Sequence, residues 1–220
     1  MKKIIFLFSL FIIILNLDAQ KLSKSGSNIK AGLRIGVVGS QISGDDLAGY
    51  HKVGAYGGIF ANMPISTSGK WHFQMEINFI MKGSSTQIRA NEDGTLPDYY
   101  VLTLLYTETP FMFQYNFGTF KKANGSIIDF DLEFGPTINF LFYQKEEFNG
   151  IDIHRYPEDL FHFWDVGIIA GLKCKFSEKS SISFRYGTSV YPVRFPDFVY
   201  NRAIKLQFND HIALTYCYHF

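Results

Sequence analysis

The chain has little cysteine. Cys174 and Cys217 are the only two in 220 residues. The strand register read below puts them on opposite faces of non-adjacent strands, so no disulfide is expected even in an oxidising compartment. Net charge is also low. At +1, with Lys and Arg scattered along the chain, there is no basic footprint for a nucleic-acid partner, and that class of function is set aside. Long apolar runs are confined to the first twenty residues. Nothing after them approaches the roughly 20 apolar residues that a spanning helix needs. A membrane-embedded mature chain would therefore have to cross as a closed barrel, in which every backbone polar group pairs internally.

The opening run has the features of an export signal. Lys2 and Lys3 form a basic start, Ile4–Leu15 is apolar apart from Ser9, and Ala19 is the small residue before a cut. At about a dozen apolar residues the run is too short for an anchor. Residues 1–19 are thus expected to be a cleaved signal peptide, residues 20–28 a polar periplasmic lead-in, and residues 29–220 one barrel domain. No Cys follows the cut, so a lipid anchor is not expected.

Aromatic residues are abundant. They make up 17% of the chain, with 23 Phe and 13 Tyr, residues that favour strands. The clearest strand is Lys70–Lys82, where Trp71, Phe73, Met75, Ile77, Phe79 and Met81 alternate with His72, Gln74, Glu76 and Asn78. A period of two describes a strand with one oily and one polar face. Similar alternation marks Ile29–Val38, Tyr99–Phe117, Ile128–Phe142, Phe161–Phe176, the segment around Ile182–Tyr186, and Phe208–Phe220. Val53–Met63 is Gly-rich, and its alternation does not fix a facing. Pro110 falls inside the strand Tyr99–Phe117, where it removes a ladder bond.

These segments make eight strands joined by alternating long and short connections. The long ones are Gly39–Tyr50, Gly83–Asp98, Tyr143–Leu160 and the aromatic, Pro-bearing connection that runs to about Gln207. The pattern predicts an all-β fold, an eight-stranded antiparallel up-and-down transmembrane β-barrel with short periplasmic turns and long outer loops. A secreted lipocalin-like ligand-binding barrel shares the period. The membrane version is favoured by aromatic rows near strand ends, by the segregation of turn lengths, and by the closing series Tyr216, Tyr218 and Phe220, a C-terminal assembly signal of the kind that barrel-assembly machinery reads.

With the oily rows facing lipid, the polar rows face a lumen that side chains fill at this strand number. Glu76, Glu108, Asp129, Asp131 and Glu133 then form an acidic wall, and Arg34, Lys173, Lys175 and Arg185 a basic one. Confined charges need partners. Arg34 is expected to reach Glu76 or Glu108, and Arg185 to reach Glu133 or Asp131. The lumen ion-pair network is thus Arg34, Glu76, Glu108, Asp131, Glu133 and Arg185, read as a structural plug rather than an ion path.

No catalytic residue, metal or cofactor is expected. His154, Glu158, Asp159 and His162 share a loop without a metal-ligand spacing. Ser84, Ser85 and His162 select no triad. In the last long connection Tyr191, Phe195, Phe198 and Tyr200 are candidates for contact with a partner.

The segments GYHKVGAYGGIFANMPIS, KWHFQMEINFIMKG, YTETPFMFQYNF, DLEFGPTINF, DVGIIAGLKCKF and the closing YCYHF resemble the PorT-like small outer-membrane β-barrel domain family of Bacteroidetes-type envelopes, over roughly residues 29–220. The resemblance implies the outer membrane of a Gram-negative bacterium and a non-enzymatic scaffold or interaction role in the cell envelope, with a link to secretion. The implied partners are outer-membrane lipid, the barrel-assembly machinery and an envelope or secretion protein. An outer-membrane lipid A-modifying enzyme is the alternative in the same fold.

Overall fold

The computed structural model describes residues 29–45, 47, 49–86, 98–121, 127–153, 161–194 and 206–220. The signal peptide and lead-in expected over residues 1–28 lie outside them. Nine strands are present among the described residues: β1 (Lys30–Ser43), β2 (Lys52–Pro64), β3 (Trp71–Ser85), β4 (Tyr100–Lys121), β5 (Ile127–Phe148), β6 (Ile151–Asp152), β7 (Trp164–Lys175), β8 (Ser180–Ser189) and β9 (Phe208–His219). Eight of them close a ring in which each pairs antiparallel with its chain neighbours. The seam is the β1–β9 ladder from Gly32↔His219 to Ser43↔Phe208. Closure leaves no open sheet edge around the ring, as a barrel in hydrocarbon requires.

The ninth strand, β6, is a two-residue addition that folds back on the end of β5, pairing Phe148 with Ile151. It lies inside the connection expected to be a charged loop from Tyr143. That loop begins later, because Tyr143–Phe148 continues β5 opposite Tyr100–Leu105 of β4. β1 and β3 likewise run on past the expected loop starts, to Ser43 and Ser85. β4 and β5 are 22 residues each, against 10 in β8, so their hairpin is the longest part of the wall.

Pro110 sits in mid-strand, facing inward. It keeps its place opposite Thr137 of β5. The β3–β4 ladder, however, passes from Met75↔Phe111 to Asn78↔Glu108 without a pairing between, the expected consequence of a residue with no N–H to donate.

The outer wall is apolar. Leu33, Ile35 and Val37 of β1 face out, as do Ile168 and Leu172 of β7 and Phe184 of β8, while Arg34, Lys173 and Arg185 between them are buried. The alternation in sequence is therefore the alternation between lipid and lumen. β2, whose facing the sequence leaves open, turns Tyr56, Phe60 and Asn62 inward and exposes Val53 and Ile59. No helix among the described residues is long and apolar enough to cross a membrane, a criterion that does not bear on strands.

Aromatic pairs gather on the outer wall near both rims. On the side of the short connections Trp71 lies 4.8 Å from Tyr115, and Phe113 packs on Phe134. On the side of the long ones Trp164 stacks on Tyr191, at 4.8 Å and 25°. With short turns assigned to the periplasm and long loops to the exterior, β1 starts and β9 ends at the periplasmic rim.

Candidate functional site

The lumen gathers buried ionisable side chains, and its charged part is built in two layers. The periplasmic layer centres on Arg185. β8 lies opposite β3 in the ring, and the Arg185 guanidinium crosses the full width. Its Nη1 and Nη2 donate to the Glu76 carboxylate at 2.9 and 2.8 Å, and its Nε donates to Glu133 Oε2 at 2.9 Å. Only an arginine can bridge two carboxylates this way, because its fork presents donors in two directions. Arg34 approaches Glu76 from β1, Nη2 to Oε1 at 3.2 Å, and also donates to Thr215. Lys173 lies 3.9 Å from Glu133 and donates to Gln74 at 3.2 Å. All of these groups are sealed from solvent.

Room for such large inward side chains comes from glycine on the neighbouring strand. A Cβ on Gly171 would stand 2.8 Å from the Arg185 stem, and one on Gly187 would collide with the His211 ring. These glycines are thus spacing elements of the lumen.

Above this layer stands a second group. Tyr56 donates to Glu108 Oε2 at 2.8 Å and accepts from Asn78, which also donates to Glu76. Lys82 reaches Glu108 at 3.3 Å and Asp165 at 4.0 Å, and His211 Nε2 is 3.9 Å from Glu108. Asn139 and Asn209 donate to Asp165, and Asn209 donates to the Tyr106 hydroxyl.

From there outward the interior becomes hydrocarbon. Val38, Ile42, Ile80, Leu102, Leu104, Tyr106 and Ala213 pack together, and the loop residues Phe161 and Val193 close over them. The lid is pinned by backbone bonds from His162 to Val193 and between Val193 and Gln207. Arg194 lies over the Phe161 ring, 4.0 Å from Glu146. Among the described residues, buried side chains fill the lumen through both layers.

The expected network residues are therefore placed as follows. Arg34 and Glu76 meet, as do Arg185 and Glu133. Glu108 is answered by Lys82 and Tyr56 rather than by Arg34. Asp131 pairs with Lys175 at 2.7 Å, near the periplasmic mouth and away from Arg185. The division into an acidic and a basic wall is incomplete: Lys82 shares β3 with Glu76, and Asp165 shares β7 with Lys173. Lys82 follows Phe79–Met81, which is apolar on both faces and shows no alternation, whereas Asp165 falls on the polar row of its strand, opposite Trp164 and Val166, but outside the expected network. An inward parity count from Glu76 to Lys82 would have found the lysine.

Of the C-terminal series, Tyr216, Tyr218 and Phe220 all face out, and the Tyr216 hydroxyl is 2.8 Å from Ser180 Oγ. Tyr191 stacks on Trp164 at the outer rim, whereas Phe195, Phe198 and Tyr200 lie outside the described residues, as do His154, Glu158 and Asp159. Among the described residues no three His, Cys, Asp or Glu side chains are grouped to hold a metal ion. Cys174 is half-buried and Cys217 buried, both as free thiols.

The family model for the outer membrane protein beta-barrel domain matches residues 18–193. No curated protein matches the chain. Several solved structures are similar. Ail, the attachment invasion locus protein of Yersinia pestis, solved with the heparin analogue sucrose octasulfate, is 9% identical over 87% of this chain and 99% of its own, with a TM-score of 0.42. Neisserial surface protein A is 11% identical over 86% and 97%, with a TM-score of 0.47. The N-terminal β-barrel domain of Pseudomonas aeruginosa OprF is 11% identical over 86% and 97%, with a TM-score of 0.34.

Proposed function

This chain belongs to the outer membrane protein beta-barrel domain family, and from that premise we propose that it is a non-enzymatic scaffold of the cell envelope that acts through its rims rather than through its lumen. The supporting observation is the filled interior. Arg185 spans the barrel between Glu76 and Glu133, and the apolar layer around Leu104 and Ile80 closes the outer half. Among the described residues a barrel so plugged offers no solute path through its middle. Its remaining chemistry lies on the outer loops, on the periplasmic mouth and on the lipid-facing wall.

The PorT-like, Bacteroidetes-type affiliation and a link to secretion belong to the same proposal. So do removal of residues 1–19 as a signal peptide and recognition of Tyr216, Tyr218 and Phe220 by the assembly machinery. In this reading the aromatic rows near the rims contact lipid, and Tyr191 with its stacked neighbour Trp164 marks the outer contact surface.

The test is purification in detergent from the native envelope, paired with mass spectrometry of lipid A from cells with and without the protein. The scaffold reading expects a stoichiometric envelope protein to co-purify and the acyl pattern to stay the same. An altered acyl pattern would establish a lipid-modifying enzyme instead.

A further inference from the structure

At the periplasmic rim the lumen opens into a cup of about 690 Å³, within the size range of ligand pockets. Further into the lumen lies the buried Arg185 layer. The wall of the cup carries Lys30, Lys70 and Lys175, with His72 and His219 deeper in. Lys175 is engaged by Asp131. Lys30 and Lys70 are exposed and have no ion-pair partner among the described residues. Of the acids on the wall, Asp129 accepts from the Thr119 hydroxyl at 2.7 Å and Glu178 is exposed, so three lysines stand against two carboxylates. The His72 Nδ1 is buried without a hydrogen-bond partner among the described residues.

The two rims carry opposite charge. Beside the cup stand Lys121 and Lys179 as well. The described part of the outer rim carries Asp45, Asp98, Glu146, Glu147 and Asp152 against Lys52, Lys145 and Arg194. A concavity set in the rim that carries the excess of lysine, Lys30, Lys70, Lys121, Lys175 and Lys179 against Asp129, Asp131 and Glu178 among the described residues, has the electrostatics of a receptor for an anion. The chain's own lead-in, with Lys21 and Lys24 and no acid between residues 20 and 28, has the wrong charge to fill it.

We propose that the periplasmic cup, lined by Lys30, Lys70, Lys175, His72 and His219, is a docking site for an acidic peptide segment of a periplasmic partner. The cup is concave, lies inside the wall and is lined by polar side chains, including Asn62, Ser68 and Asn116. That favours a peptide entering from the aqueous side over a lipid headgroup, which would lie against the outer wall. This inference rests on the scaffold reading and supplies that scaffold with a partner chemistry.

The experiment is fluorescence anisotropy of labelled octaglutamate and octalysine with the full mature chain folded in neutral detergent. Lys30→Gln with Lys70→Gln alters the cup, leaves the buried network intact, and is compared with Lys52→Gln plus Lys145→Gln at the outer rim. Octaglutamate is expected to bind and octalysine not. The cup variant should weaken binding about tenfold, and the outer-rim variant should change it by less than about twofold. Absence of octaglutamate binding, or equal losses in the two variants, would overturn the proposal. So would phosphatidylglycerol micelles displacing the peptide from the wild type but not from the cup variant, since that would assign the lysines to lipid. Ion conduction by the barrel would count against the closed scaffold alone, and loss of peptide binding against the cup alone.

Discussion

The barrel is filled with ion pairs around Arg185 on the periplasmic side of Tyr56, and with hydrocarbon on the outer side beyond the Lys82–Glu108–Asp165 group. Both layers meet the same constraint, that an eight-stranded ring in lipid must fill its interior with side chains, and they meet it by different physics. In the charged layer each group needs a particular partner at a particular height: Arg185 of β8 requires Glu76 of β3 and Glu133 of β5, and so fixes which strands face one another. The apolar layer of Ile80, Leu102, Leu104 and Val193 is held by contact area, which is not directional. Tyr56 joins the two, bonding upward to Glu108 and sideways to Asn78.

If this contrast is right, the layers break differently. Arg185→Ala leaves Glu76 and Glu133 buried with Arg34 and Lys173 as their remaining partners, and should cost about 3–5 kcal/mol of unfolding free energy. The readout is a urea titration in micelles followed by Trp71 and Trp164 fluorescence. Leu104→Ala, which opens a cavity in the apolar layer, should cost about 2–4 kcal/mol in the same assay. Ile35→Lys puts a charge on the lipid-facing wall of β1 and should cost about 2–3 kcal/mol. It should do so only when the barrel is folded into a bilayer, as shown by comparing liposomes with micelles.

The conservative pair sharpens the contrast further. Leu104→Met should cost less than about 1.5 kcal/mol, whereas Arg185→Lys keeps the charge but cannot reach both carboxylates and should cost more than Leu104→Met. Tyr56→Phe should cost about 1–2 kcal/mol, from the loss of the bond to Glu108 and the acceptor for Asn78.

The same contrast explains how much could be read from sequence. Where the lumen is charged, its polar row alternates with the lipid-facing row, and Arg34, Glu76, Glu133 and Arg185 stand out by parity alone. Where the lumen is apolar, both faces of a strand are oily. Phe79, Ile80 and Met81 form an unbroken run, although Ile80 is buried and Phe79 exposed. Val101–Leu105 is similar, with Leu102 and Leu104 turned inward. Alternation vanishes there, so the apolar plug was not legible; the inward Tyr56 and Phe60 were hidden by the glycines of β2, and the Lys82–Asp165 contact joins strands on different parts of the ring. Strand ends were misjudged for a related reason. Tyr143–Phe148 is charged and polar, which resembles a loop, but beyond the membrane a strand needs no oily face to stay paired with Tyr100–Leu105. Which cation answers which carboxylate depends on height and on side-chain reach across the ring, and register within single strands does not determine that.

A lumen filled in this way should pass no steady current, and single-channel recording of the purified chain in a planar bilayer measures that. The predicted result is a bilayer that stays at its baseline conductance after insertion, with Arg185→Ala alone producing brief, irregular openings. Steady, uniform conductance steps from the wild-type chain would contradict a filled lumen.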